Sequence, residues 1–308
     1  MSMPNRSHLL LILFFLPISS ASFGQDVVEA NEPVRKETHY IHGLTMAKND
    51  SLIAYGVASF AVVVMDRAYK QVARFHLTRM WGGGGACFSY DSKHLAYYSY
   101  GKTDTLTLYN LKNKKKAKYE IDNIEDIRFY NLSNQLLLLD KKAVSIFSLD
   151  KRKIAKTKKF DQYIDDIILS DDDQTAYVLF SEGRLVSYNT KNWKEIEEIA
   201  SFGETVSNLV ITESHLISNA DGKVIVIDRS NREKKTFISE FSYICDIEVE
   251  QSLVLVAGRS PYLFSIYLDQ GKTQKNSLNV TDVGIFSLLS MRKDGLLVGD
   301  GNSIYLVR

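Results

Sequence analysis

The stretch CFSYDSKHLAYYSYGKTDTLTLYNLKNKK, Cys87–Lys115, decides how the chain is read. It opens with a short apolar run, breaks at the polar YDSKH, resumes as LAYYSY, turns at Gly101 and continues as TLTLYN into a lysine-rich turn. Short runs rich in Tyr, Phe, Thr and Leu, bounded by Gly, Asp, Asn and Ser, are the pattern of antiparallel strands joined by tight turns. Immediately upstream stands WGGGG, Trp81–Gly85. A glycine run of this kind invites a phosphate-binding reading. That chemistry needs a strand before the loop, a helix N-terminus after it and a Lys-Ser or Lys-Thr pair. Here strand-forming residues follow and no such pair comes directly after the glycines, so the phosphate reading fails.

The same pattern recurs. Copies begin at Leu44 (LTMAKNDSLIAYGVASFAVVVMDRAYK), Arg128 (RFYNLSNQLLLLDKKAVSIFSLDKRK), Ile167 (IILSDDDQTAYVLFSEGRLVSYNTKNWK), Leu209 (LVITESHLISNADGKVIVIDRSNREK) and Ile247 (IEVEQSLVLVAGRSPYLFSIYLDQGK). A shortened last copy, LLSMRKDGLLVGDGNSIYLVR, runs from Leu288 to Arg308. Third-strand ends fall at Asp66, Asn110, Asp150, Asn189, Asp228 and Asp269, a spacing of about forty residues, which is the period of a propeller blade. The expected fold is all-β: a seven-bladed β-propeller of four-stranded antiparallel blades. In the second copy strand a is expected near Ala86–Ser89, strand b near Leu95–Tyr100, strand c near Thr105–Tyr109 and strand d near Ala117–Ile121. The last copy stops after its third strand. The segment around Val34–Thr38 is expected to supply the missing one and close the ring, because an open sheet edge is a template for aggregation. Gly82–Gly85 then join blade 1 to blade 2, where the backbone passes close to the channel.

FSYDSKHLAYYSYG (Phe88–Gly101) and LSDDDQTAYVLFSEGRLVSYNTKNWKEI (Leu169–Ile196) resemble the repeat core of WD-repeat and YVTN-type propellers. The resemblance covers roughly residues 34–308 and implies the fold, with no particular activity. The Trp-Asp and Gly-His pairs of typical WD repeats are absent.

The N-terminus has the order of a secretory leader: Arg6, an apolar run from Leu9 to Ile18, then small residues. Cleavage is expected after Ala21 or Gly24, leaving residues 25–308 as one propeller domain, exported to the periplasm or beyond. The apolar run is too short to span a bilayer, and no later segment is apolar enough to do so. The FGQ exit and the Tyr-, Lys- and Asn-rich composition resemble exported proteins of the Bacteroidetes. Without residues 1–24 acidic and basic side chains balance, which argues against a nucleic-acid partner. The two cysteines, Cys87 and Cys245, fall on strands a of non-neighbouring blades and are expected to remain thiols.

Few residues suggest chemistry. The entry to strand a carries Gly43, Gly85, Asp126, Asp166, Asn208, Asp246 and Ser287 in successive copies, a ring at one mouth of the channel. Oxygen ligands there suit a small ligand or a cation; the alternative use is hydrogen bonding to backbone N–H groups within each loop. Trp81 is a candidate anchor on the same face. HxxH at His39–His42 is too sparse for a zinc site. Lysines crowd the expected c–d turns of blades 2 and 3: Lys112, Lys114, Lys115, Lys116 and Lys118, then Lys151, Arg152, Lys153, Lys156, Lys158 and Lys159. They suit either a solvated edge or an acidic partner. No catalytic constellation and no cofactor motif stands out. The expectation is a monomeric exported module that binds protein or peptide. The alternative is a lactonase- or hydrolase-like propeller enzyme with a metal or small ligand at the channel.

Overall fold

The computed structural model describes residues 27–28, 33–37, 39–58, 61–77, 85–99, 104–260, 262–278, 285–291, 295–301 and 303–307. The expected leader, Trp81 and Gly82–Gly84 lie outside the described residues. All regular structure described is β-strand, arranged as seven sheets that form the blades of a propeller. Blades 1 to 6 begin at Ile41, Ala86, Asp126, Ile164, Ser207 and Ile244, and each is a four-strand antiparallel meander. In blade 2 the strands are Ala86–Phe88, His94–Ser99, Thr105–Asn110 and Lys116–Glu120, within one residue of the sequence expectation.

Strands a of successive blades touch around most of the ring, blades 3 and 4 meeting through Arg128–Asp166 and a shared apolar cluster, and the contact of blade 7 with blade 1 completes it. The core is divided accordingly. Seven apolar clusters lie one in each gap between neighbouring blades, built from strands whose side chains alternate between the two gaps. A blade has no core of its own, so each is stable only between neighbours.

The loops sort onto two faces. In blades 2 to 5 the d–a loop bonds the b–c loop beside it, as in Phe160 N–H to Lys142 C=O (2.8 Å) and Phe202 N–H to Gly183 C=O (2.8 Å). In blades 2 to 6 the c–d turn bonds the a–b turn, as in Leu111 N–H to Lys93 C=O (2.8 Å) and Arg229 N–H to Ser214 C=O (2.8 Å). The crossings on the first face are tight. A Cβ on Gly183 (φ +77) would lie 2.1 Å from the Glu204 carbonyl oxygen. The period-marking residues also gain a reason: Asp66, Asn110, Asn189 and Asp228 each accept backbone N–H groups of their c–d turn. In blades 3 and 6 strand c ends earlier, at Ser148 and Tyr267, so Asp150 and Asp269 fall inside the turn.

Blade 7 has three strands of its own, Ile285–Ser290, Leu296–Asp300 and Ser303–Val307, and Arg35–Lys36 forms its fourth, antiparallel to the last. The N-terminal segment does more than was expected. Val27–Val28 pairs in parallel with the outer strand of blade 6, so the segment crosses two blade edges before entering blade 1. Glu37 then anchors it. Its carboxylate, only 5% exposed, accepts from Arg35 (2.8 Å), Arg74 of blade 1 (2.8 Å) and the Tyr55 hydroxyl (2.9 Å). Burial works to raise the Glu37 pKa, but these three donors outweigh it and hold the carboxyl below its usual value.

Candidate channel-mouth site

The strand-entry residues lie at the start of strands a, on the d–a face, and their carboxylates are occupied. Asp166 accepts Ile167 N–H (2.7 Å) in its own strand and reaches blade 5 to accept Leu209 N–H (2.9 Å). Asp246 does the same from blade 6 to blade 7, accepting Ile247 N–H (2.9 Å) and Leu288 N–H (2.8 Å), with the Ser287 hydroxyl at 3.3 Å. Ser287 passes the link on to Leu44 N–H of blade 1 (3.0 Å). Each aspartate thus keeps one bond in its own strand, as the backbone alternative supposed, and uses the rest to bolt neighbouring blades together. At Gly43 and Asn208 the backbone is left-handed (φ +60 and +52), a conformation Gly and Asn accept most readily.

Asp126 differs. It accepts Ile127 N–H (2.8 Å) and then Arg128 Nε (3.1 Å), while Arg128 Nη2 donates to Asp166 (2.7 Å). Arg128, absent from the sequence-level candidates, is therefore the central cation of this arc. It sits deep in the molecule yet keeps 37% of its side chain open to the channel. Burial would lower its pKa, but Asp166 and Asp126 more than offset that and it is raised. Burial raises Asp166, with Arg128 opposing it, and pushes Asp246, which has no such cation, up to about 6. Gly85 belongs to the same arc. A Cβ there would meet the Tyr98 ring at 2.9 Å and Asp126 Oδ1 at 3.4 Å, so glycine is required by close packing.

A second feature of this mouth was missed. Strand a is entered through the tripeptide-plus-one patterns YIHG (40–43), YIDD (163–166) and YICD (243–246). The isoleucines are buried and the tyrosines are not: Tyr40, Tyr163 and Tyr243 are 57%, 55% and 61% exposed. Cations from b–c loops lie over two of the rings, Lys142 Nζ 4.4 Å from the centre of Tyr163 and Arg259 Cζ 5.7 Å from that of Tyr243. The repeated Tyr-Ile dipeptide was legible at the same register as the aspartates.

The basic patch is rearranged. The c–d turns hold only Leu111–Lys115 and Leu149–Arg152, because Lys114 (φ +58) and Arg152 (φ +52) reverse the chain abruptly. Lys116 and Lys118 lie on strand d of blade 2, and Lys153, Lys156, Lys158 and Lys159 on strand d of blade 3. Lys158 and Lys159 pair with Val144 and Ala143, at the end of strand c away from its turn, roughly 20 Å along the strand from Lys153. The eleven cations do not share one face; they form a band along the rim. Lys116 rests 4.7 Å over the Phe75 ring and Lys158 5.4 Å over that of Phe160, while Lys156 Nζ donates to Lys191 C=O (3.0 Å).

Both cysteines are free, and burial raises each thiol pKa. Among the described residues no group of three or more His, Cys, Asp or Glu is placed to hold a metal ion, and no helix is long and apolar enough to cross a membrane. No protein-family model and no curated protein matches the chain.

Proposed function

We propose that the chain is an exported propeller that binds a protein or peptide on its d–a face and acts as a scaffold in the cell envelope. The observation that carries this reading is the repeated exposure of Tyr40, Tyr163 and Tyr243 at one register position around one mouth. Tyrosine brings large contact area with few rotatable bonds and is enriched among residues that dominate binding energy. The isoleucine beside each ring already fills the gap between blades, so the three tyrosines are not needed for the core. The leader-like order of residues 1–24 supports export.

The metal-enzyme alternative asks the same aspartate oxygens to leave the backbone N–H groups of Ile167, Leu209, Ile247 and Leu288. The binding reading asks nothing of them. The test is retention of envelope proteins on immobilised mature protein, compared with a Tyr40→Ser, Tyr163→Ser, Tyr243→Ser variant of equal melting temperature. Proteins retained by the first and lost from the second support the reading. The same proteins retained by both would overturn it, and stoichiometric calcium or zinc in the purified protein would favour the enzyme.

A further inference from the structure

The opposite, a–b end of the channel holds a different feature. Residues at the ends of strands a of blades 1, 2 and 3 line an open depression of about 380 Å³ there, large enough to admit a small organic molecule. Its apolar lining is the exposed edges of Met46, Phe88 and Phe129; the phenylalanines are otherwise buried in the gaps between blades, and Met46 packs towards blade 7 with its sulfur 3.8 Å from Arg67 Nη1. Its polar lining includes two cations, Arg128 on the channel side and Lys48 in the a–b turn of blade 1, and no carboxylate. The two cations are not equivalent. Arg128 is balanced by Asp126 and Asp166, which take its Nε and one Nη2 hydrogen; three of its five N–H donors are left over. It is a donor without net charge to offer. Lys48 is an exposed ammonium whose contacts are both neutral, the Asn131 carbonyl of blade 3 (3.2 Å) and the Tyr90 ring of blade 2 (4.5 Å to its centre). The side chain therefore spans three blades across the mouth of the depression, held by partners that a carboxylate outcompetes.

We propose that this depression is a binding site for a small organic acid, one carboxylate on a compact apolar or aromatic body. The carboxylate pairs with Lys48 at the mouth. The body lies against the edges of Met46 and Phe129 that face the depression. Arg128 offers its remaining N–H groups to any acceptor at the inner end. This site is separate from the tyrosine-bearing mouth, so either reading can fail without the other.

Benzoate is the probe. With methionine methyl groups carrying ¹³C in the mature protein, and Met46 assigned through Met46→Leu, benzoate should shift the Met46 signal saturably. Benzamide, the neutral isostere, should bind about tenfold more weakly, as should benzoate to Lys48→Gln, since a charge-assisted hydrogen bond is lost in each case. A Met46 signal that benzoate leaves unmoved overturns the proposal. So does equal binding of benzoate and benzamide, a comparison made in the unmodified protein and independent of how the variant folds.

Discussion

Charge is used in opposite ways at the channel and at the rim. Around the channel a few aspartates are buried, and each spends its oxygens on backbone N–H groups of two blades or on Arg128. On the rim many lysines are exposed, and they hold rings and carbonyls loosely. The residue type predicts neither behaviour; burial does. A buried charge that loses its partner costs several kcal/mol, whereas an exposed pair is worth less than about 1 kcal/mol. One place breaks the division: Glu37, a buried charge at the rim, where the ring closes.

Removing residues 1–37 should give the largest effect. It strips the fourth strand from blade 7 and the added strand from blade 6, and it leaves Arg74 and Tyr55 without Glu37. The truncated protein should aggregate or melt far below the intact one in calorimetry. Glu37→Ala sharpens the point by keeping the strands and losing the anchor. It should cost about 2–3 kcal/mol, discounted because both arginines reach solvent. A truncation that stays monodisperse with unchanged melting would refute the closure.

Asp166→Ala comes next. It orphans Ile167 N–H, Leu209 N–H and one arm of Arg128 at once. The expected loss is about 3–5 kcal/mol in denaturant unfolding, the range for breaking a buried pair. A loss under 1 kcal/mol would mean that the inner carboxylates behave like rim charges, and the contrast would collapse.

The split between what was legible and what was not follows the same line. The blade period was readable because each unit repeats its strand lengths and turn residues locally; Asn110 and Asp228 close their own turns. Positions of the ring aspartates were readable from register alone. Their partners were not, since Leu209 lies 43 residues from Asp166 and only the ring geometry brings them together. Arg128 escaped notice because a lone arginine in a strand has no pattern. Glu37 escaped because its partners Tyr55 and Arg74 belong to two other strands. The lysines misled in the opposite sense: their clustering in sequence suggested one patch, and an extended strand d spread them along the rim.

Asp246 gives a smaller effect, visible only through pH. Its folded pKa of about 6 lies above the ordinary 3.8, so the folded state binds that proton more tightly than the unfolded state does. The stabilisation is fully present below about pH 4 and is lost as pH rises through about 6. Asp246→Asn should remove this slope. The difference in unfolding free energy between the two proteins should shift by about 2 kcal/mol between pH 4.5 and 7.5. A constant difference across that window would show that desolvation of Asp246 is relieved, and that this stretch of the mouth is wet.

The rim lysines should yield the smallest change. Replacing Lys114, Lys115, Lys116, Lys158 and Lys159 by Gln removes five charges from turns and outer strands where surface substitutions cost less than about 0.5 kcal/mol each. The Lys116 and Lys158 ring contacts are made in solvent, where such contacts are worth about 0.5–1 kcal/mol at most. Relief of repulsion along the crowded strand d of blade 3 acts in the opposite direction. Melting should therefore move by only a few degrees. If an acidic partner uses the band, its association should slow in the variant and in rising salt, since exposed charges act over about 8 Å at physiological ionic strength. A large drop in melting temperature would place these lysines with Glu37 and Asp166 among the residues that hold the ring together, and the distinction between channel and rim would rest on position alone.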